Sequence, residues 1–184
     1  GYGNDHCDAH DEYRTSGDAH HHHAHTLLHR LVQDLGEKAP MLLLIGQRGW
    51  EIGEVVQILD QDHSLQGHVV ELGRCSDAQM IGLLSGAKAL LMPSFAEGFG
   101  IPVIEALQSG TPVIASNLGV FREVAGDIPL YLRPDDAAGW IDAILSYSAG
   151  SEDWKRQVSL TANYAAPNWK DHFRRVDSWL EGVS

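Results

Sequence analysis

The sequence predicts an α/β fold, a Rossmann-like parallel sheet flanked by helices, in a chain of 184 residues. Short runs such as Lys88–Met92 and Pro112–Ala115 are apolar almost throughout instead of alternating. Such runs are typical of parallel strands that are covered on both faces. Segments of helical periodicity lie between them, with glycine or proline at many boundaries. The 43% content of apolar residues is enough for one domain with a sizeable core and excludes wholesale disorder.

Strands and helices are predicted to alternate along most of the chain, which favours parallel pairing with right-handed crossovers. Asp77 is a suitable N-cap and Gly86 a suitable stop for one helix, and Gly36 is a stop for another. The predicted strands are Met41–Gly46, His68–Leu72, Lys88–Met92, Pro112–Ala115 and Leu130–Leu132. Helices are predicted between these strands, over about Ala24–Leu35 before the first one and then over Ile52–Asp60, Asp77–Ser85, a segment from near Gly100, and Gly119–Ala125. Three more helices are predicted after the last strand, over Asp136–Ser148, Ser151–Tyr164 and Trp169–Glu181.

The stretch Pro93–Ser116, PSFAEGFGIPVIEALQSGTPVIAS, carries the strongest functional signal. Pro93 ends a strand, and Gly98 and Gly100 permit positive φ and close approach of another group to the backbone. A helix is predicted to begin near Gly100, with Pro102 in its first turn. The amide donors and the positive dipole end of that helix then lie at the carboxyl edge of the sheet. This arrangement suits an anion such as a diphosphate.

Two acids in this stretch are candidate ligand contacts. Glu97 lies in the glycine-bearing loop, and Glu105 lies eight residues further on, within the helix. A carboxylate can accept both donors of a vicinal diol, and such charge-assisted bonds are strong. The alternatives are that Glu97 is a solvated loop acid and that Glu105 is an exposed helix acid.

The pattern of a Glu, seven residues and a second Glu, from Glu97 to Glu105, resembles the retaining glycosyltransferases of family 4, which have the two-domain GT-B fold. MLLLIGQRGW, HVVELGRCSDAQMIGLLSGA and SGTPVIASNLGVFREVAG resemble successive strands and loops of that family's carboxy-terminal, donor-binding domain. The resemblance runs from about Met41 to the C-terminus. It implies that this chain is the C-terminal half of a GT-B fold.

The resemblance also implies roles for individual residues. Glu97 would contact the hydroxyls of the donor sugar and is the one residue assigned to catalysis. Glu105 would bind the ribose hydroxyls of the nucleotide. The donor-binding loop would be completed by backbone groups, those of Gly98, Phe99, Gly100 and Ile101. The side chain of Phe99 is open to a second interpretation, ordinary packing.

Further residues are assigned outside the loop. The resemblance places Arg74 and Cys75 near the nucleobase, mainly through backbone contacts. Asn117 follows the Pro112–Ala115 strand, where it either orients a ligand or forms a turn. Glu123 is interpreted as structural, as a cap or as the partner of Arg122 or Arg133.

The amino-terminal part departs from the family. Members begin this domain with an apolar strand and a loop whose Arg and Lys hold the diphosphate, and neither feature is found between Gly1 and His25. Arg48 is a candidate substitute, and a solvated loop arginine is the alternative. We therefore expect the chain to be a fragment or one segment of a longer protein. Residues 1–25 would be a polar leader and residues 26–184 the donor-binding domain, inactive without an N-terminal acceptor domain.

The leader is rich in histidine. His20 and His23, or His21 and His25, would share a helix face and could chelate a transition metal. A polar leader, disordered or derived from an expression tag, explains the same residues, as does a natural metal-binding tract. We interpret metal affinity here as incidental and predict no catalytic metal.

Charge and hydropathy limit the partners. The net charge of −12 argues against nucleic acid and against simple attachment to anionic lipid. No apolar run approaches the roughly 20 residues that span a membrane. Two cysteines make no disulfide framework, so the cytoplasm is the expected location, with peripheral attachment to the inner membrane only through the missing domain.

Three functions remain open at this point. The first is sugar transfer from a nucleoside-diphosphate sugar, with GDP-mannose preferred on overall similarity to mannosyltransferase-like members and no cofactor required. The second is a degenerate, non-catalytic GT-B module that serves binding or assembly. The third is an epimerase of the related GT-B type, which fits the motif spacing less well.

Overall fold

The computed structural model describes residues 39–46, 60–167 and 169–182. These residues form two compact units. The first comprises 39–46, 60–76 and 135–145, and the second comprises 77–134, 146–167 and 169–182. The predicted helix over Ala24–Leu35, nearly all of the one over Ile52–Asp60, and the 1–25 leader lie outside the described residues.

The first unit contains a pair of parallel strands, β1 (Leu42–Ile45) and β2 (Val69–Leu72). Leu42 lies opposite Val69 and Ile45 opposite Leu72. A short 3-10 helix, His63–Leu65, precedes β2 and was not predicted. It buries Leu65 against Ala39, Leu42 and Val69.

The second unit contains a three-stranded parallel sheet in the order β3–β4–β5. The strands are β3 (Leu90–Met92), β4 (Val113–Ser116) and β5 (Leu130–Leu132). Every residue of the central strand β4 is buried, as expected for a strand that is covered on both faces. Met92 lies opposite Ala115, and Ser116 lies opposite Leu132, so the carboxyl ends of the three strands reach the same edge of the sheet.

The helices of the described residues agree with the predicted ones to within a few residues. They are α1 (Asp77–Gly86), α2 (Ile101–Gln108), α3 (Gly119–Ala125), α4 (Ala137–Ser148), α5 (Glu152–Thr161) and α6 (Trp169–Glu181). None of the helices in the described residues has the length and hydropathy that a membrane-spanning helix requires.

The core of the second unit joins α2 and α3 to the sheet. Its most buried members come from those helices and from β4 and α1: Leu84, Val103, Ala106, Leu107, Val113, Ala115, Phe121, Val124 and Ala125. The apolar residues of α2 recur at positions three and four apart, which gives the helix one buried face and leaves Glu105 on the exposed side. The predicted α/β class, with parallel strands flanked by helices, is confirmed.

One buried polar residue ties α5 to this sheet. Gln157 is 1% exposed, and its Oε1 accepts a hydrogen bond of 2.8 Å from the backbone N–H of Val113. Its Nε2 donates to the carbonyls of Val113, at 3.1 Å, and Ile128, at 2.5 Å. The glutamine therefore takes the place of a neighbouring strand at the beginning of β4.

Candidate functional site

The loop between β3 and α2 ends in a glycine that no other residue could replace without strain. Gly100 is the N-cap of α2, with φ 82° and ψ 34°, in the left-handed region. A Cβ at this position would lie 3.0 Å from Cδ1 of Phe121, so the beginning of α2 packs directly against α3. Gly98 differs: its φ lies outside the left-handed region, and a Cβ there would meet no atom within 4 Å. Of the two loop glycines that permit positive φ, Gly100 therefore adopts it and Gly98 does not.

The beginning of α2 offers unpaired backbone donors. The N–H groups of Val103 and Ile104 both donate to the Gly100 carbonyl, at 3.1 and 3.3 Å, and Pro102 has no N–H. The amides of Phe99, Gly100 and Ile101 have no hydrogen-bond partner among the described residues. These amides belong to three of the four loop residues, Gly98 to Ile101, whose backbone the family resemblance implies as donor-binding. At the positive end of a helix dipole they form a suitable site for an anion.

The two predicted acids lie in the same unit as these amides, and both are exposed. Glu97 Oε1 accepts a hydrogen bond of 3.0 Å from the N–H of Gly98, which orients the carboxylate over its own loop. Glu105 lies on α2, one turn after its beginning. Both carboxylates can therefore accept hydrogen bonds from a ligand.

The apolar side chains of the loop point outward. Phe99 is 54% exposed and Ile101 is 56% exposed, although their neighbours in α2 are buried. Packing of the Phe99 ring in the core, which the sequence left open, is therefore wrong. The two side chains form an apolar rim beside the free amides.

Asn117 lies at the carboxyl end of β4, where two hydrogen bonds hold its backbone N–H and its side chain and a third closes the turn around it. Its N–H donates to the carbonyl of Leu132 at 2.8 Å, and the N–H of Leu118 donates to that of Ser116 at 2.7 Å, which closes a three-residue turn. Its Oδ1 accepts a hydrogen bond of 2.8 Å from Nε of Arg122. The turn that the sequence proposed is present, and the side chain is exposed as well.

Arg122 was not predicted as part of this site. Its contacts also show that Glu123 is not its partner, which was one of the roles predicted for that acid. Arg122 donates to Oδ1 of Asp127 at 3.0 Å, and its guanidinium lies 4.2 Å from the centre of the Tyr131 ring. Glu123 forms no ion pair with either arginine in the described part of the chain. Burial raises the pKa of Tyr131 to about 12, while the nearby Arg122 charge opposes the rise. No signal in the sequence singles out an arginine five residues after Asn117, because its partners come from three different elements.

The remaining candidates lie elsewhere. Arg74 and Cys75 follow β2 in the first unit; Arg74 is exposed, and the Cys75 thiol donates to the carbonyl of Gly73 at 3.7 Å. Arg48 lies outside the described residues, as do His20, His21, His23 and His25. Within the described ranges, no three His, Cys, Asp or Glu side chains are placed to hold a metal ion.

A parallel sheet with a glycine-capped helix at its carboxyl edge, free amides and exposed acids is typical of α/β proteins that bind nucleotides. Similarity to known proteins shows which family of nucleotide-binding proteins this is. The model of the family "Glycosyl transferases group 1" matches residues 14–159, and the chain belongs to this family.

Its relatives include two mannosyltransferases. The chain is 35% identical over 114 residues to O-antigen chain mannosyltransferase B of Escherichia coli, which covers 62% of this chain and 29% of that protein. It is 34% identical over 140 residues to O-antigen chain mannosyltransferase RfbU of Salmonella typhimurium, which covers 76% of this chain and 38% of that protein. The chain thus spans about a third of the length of these relatives.

A solved structure supports the fold. A variant of S. aureus TarM, crystallised with fondaparinux, alpha-GlcNAc-glycerol and UDP, matches with a TM-score of 0.64 at 17% identity. The match covers 86% of this chain and 31% of that one. The predicted GT-B type of α/β fold is confirmed by this likeness.

Proposed function

We propose that this chain is the donor-binding part of a retaining glycosyltransferase, which transfers a sugar from a nucleoside-diphosphate sugar to an acceptor. The observation that carries the proposal is the set of three unpaired amides at Phe99, Gly100 and Ile101, beside the exposed acids Glu97 and Glu105. A diphosphate at the amides would be stabilised by hydrogen bonds and by the helix dipole. The acids would accept from hydroxyl groups of the ligand.

The proposed roles follow from this arrangement. Glu97 binds the donor sugar and is the proposed catalytic residue, and Glu105 binds the ribose. The loop backbone from Gly98 to Ile101 lies along the diphosphate and sugar. Diphosphate is the leaving group, so donors fixed at the beginning of α2 stabilise the charge that develops as the glycosidic bond breaks.

Three other residues also belong to the proposed donor site. Arg74 and Cys75 contact the nucleobase through their backbone, and Arg48 contributes positive charge to the diphosphate. The Cys75 sulfur has no chemical role in this proposal, since its thiol is partly buried and donates to a neighbouring carbonyl.

Mannose is the proposed sugar and GDP-mannose the proposed donor, without a cofactor. The support is that both relatives described above are mannosyltransferases and that TarM, a protein of the same fold, was crystallised with a nucleoside diphosphate. The acceptor would be bound by an N-terminal domain, in the same or another chain, with residues 26–184 as the donor domain. Alone, this chain would bind donor without turning it over. We propose a cytoplasmic location, with any attachment to the inner membrane residing in the acceptor domain.

Isothermal titration of the chain with GDP, UDP and ADP and with their mannose and glucose conjugates tests the proposal. We expect one nucleotide series to bind, and we expect Glu105→Gln to weaken that binding about tenfold or more, because a charge-assisted hydrogen bond contributes about 1.5–3 kcal/mol. Glu97→Gln should weaken the binding of the sugar conjugate and leave the affinity for the free nucleoside diphosphate unchanged.

Glu123→Gln is the matched control. It removes an exposed acid of the same unit that has no ion pair in the described part of the chain, so affinity should not change. A chain that is folded and binds none of the nucleotides would contradict the proposal and favour a degenerate module.

A further inference from the structure

Asn117 is placed where a ligand of the α2 loop would pass. Met92 and Ala115 are opposite each other in the parallel register, so Asn117 lies just beyond the sheet edge from which the Pro93–Gly100 loop departs. The beginning of α2 packs against Phe121 of α3, which brings the helix that follows Asn117 next to the free amides. Asn117 and the α2 loop therefore belong to one edge of one unit.

The Asn117 side chain has a defined polarity. A guanidinium can only donate hydrogen bonds, so the atom that faces Arg122 Nε at 2.8 Å must be the amide oxygen. The amide nitrogen, with its two hydrogens, is then directed away from Arg122 and has no partner among the described residues. Asn117 consequently directs its two N–H donors to the solvent side of the sheet edge.

Arg122 is itself held from two further sides. Its guanidinium donates to Asp127 at 3.0 Å and lies 4.2 Å from the centre of the Tyr131 ring. The Tyr131 hydroxyl is anchored in turn, at 2.8 Å from the carbonyl of Gly126 and 3.1 Å from that of Phe121. A side chain with this many partners has little rotamer freedom left, although 45% of its surface is exposed.

We infer that Arg122 is a positioning residue for donor binding: it fixes the Asn117 amide so that its N–H₂ donates to an oxygen of the diphosphate–sugar part of the ligand. The inference rests on the proposed function. If the amide turned over, it would present its own oxygen to the phosphate or hydroxyl oxygens of the donor. An arginine that occupies the amide oxygen prevents this reversal, so the ligand meets a preorganised donor.

Four variants of the chain test this role by calorimetric titration with GDP-mannose and GDP, with thermal unfolding as the measure of folding. Asn117→Ala and Arg122→Ala should each weaken GDP-mannose binding about tenfold, the loss expected for one hydrogen bond to an oxygen that carries charge. The double variant should bind no more weakly than Asn117→Ala, because Arg122 acts only through Asn117.

Asn117→Asp separates positioning from structural support. The carboxylate still accepts the bond from Arg122, with greater strength, so the unfolding temperature should stay the same or rise. It offers no donor and adds negative charge, so GDP-mannose binding should fall further than in Asn117→Ala.

The outcomes are distinct. Wild-type affinity in Asn117→Asp, or losses that add up in the double variant, would overturn the inference and leave the proposed function standing. A folded wild-type chain that binds neither GDP-mannose nor GDP, nor any other nucleotide of the panel, would overturn both.

Discussion

Replacing Gln157 by leucine would remove three hydrogen bonds at the beginning of the central strand of the second unit. The amide bridges the N–H and carbonyl of Val113 and the carbonyl of Ile128, and the residue is 1% exposed, so water is not available as a substitute. A net contribution of about 1 kcal/mol per hydrogen bond gives a loss of roughly 3 kcal/mol. Since domains are typically stable by about 5–15 kcal/mol, this is a large share of the total.

Urea unfolding followed by tryptophan fluorescence and far-ultraviolet circular dichroism measures this loss. Gln108→Leu is the matched control, because it makes the same substitution at an exposed position, the last residue of α2, and should change stability by less than about 0.5 kcal/mol. A Gln157→Leu variant as stable as the control would show that these three hydrogen bonds do not stabilise the second unit. The glutamine would then not replace a neighbouring strand.

Gln157→Glu adds a test by pH. One carboxylate oxygen can still accept from the Val113 N–H, but the other would face two carbonyl oxygens and must carry a proton to donate. The folded chain would then bind the proton more tightly than the unfolded one, so the pKa of the new acid is raised. Stability relative to wild type should fall as the pH rises from about 4, the pKa of an unperturbed glutamate, towards 7. A difference from wild type that does not change with pH would contradict this account.

Three further predictions concern the site and its surroundings. Gly100→Ala should destabilise the chain by about 1–3 kcal/mol and weaken nucleotide binding, since φ is positive and the new Cβ would lie 3.0 Å from a ring carbon. Gly98→Ala, whose new Cβ meets no protein atom within 4 Å, should leave stability unchanged in the same urea measurement. Ser116→Ala should leave the free energy of unfolding in urea unchanged or raise it by about 1 kcal/mol. The reason is that the Ser116 hydroxyl is buried and has no hydrogen-bond partner in the described part of the chain. A clear loss of stability would show that the hydroxyl has a partner. Burial raises the pKa of Tyr131 to about 12, so the folded chain holds the phenolic proton more tightly than the unfolded chain. The unfolding temperature should therefore fall as the pH rises from 10 to 12, and it should fall less steeply in Tyr131→Phe. Equal slopes in the two proteins would show that Tyr131 does not cause the fall.

The sequence predicted the elements well where a single local cause determines them. Strands such as β4 are short apolar runs because both faces are covered, and this leaves a pattern that needs no knowledge of the neighbours. Pro102 in the first turn and Gly100 before it likewise indicate where α2 begins. The short 3-10 helix at His63–Leu65 was missed because three residues carry no periodicity.

The missed features depend on contacts between distant residues. Gln157 bonds Val113, which is 44 residues away, and nothing in the surrounding helix separates it from an exposed glutamine. Arg122 looks like any arginine on a short helix, and only the fold brings Asn117, Asp127 and Tyr131 around it. The same limit applies to the loop glycines. Gly98 and Gly100 both permit positive φ, and only the fold shows that Gly100 adopts it.

Amide chemical-shift mapping shows directly whether the beginning of α2 binds the donor. Nitrogen-15-labelled chain would be titrated with GDP-mannose, and with UDP and ADP conjugates if GDP-mannose does not bind. We expect the largest shifts at the amides of Phe99, Gly100 and Ile101, and we expect Glu105→Gln to reduce them at a given ligand concentration. Saturable shifts that leave these three amides unchanged, or none from any nucleotide sugar in a folded chain, would contradict this expectation.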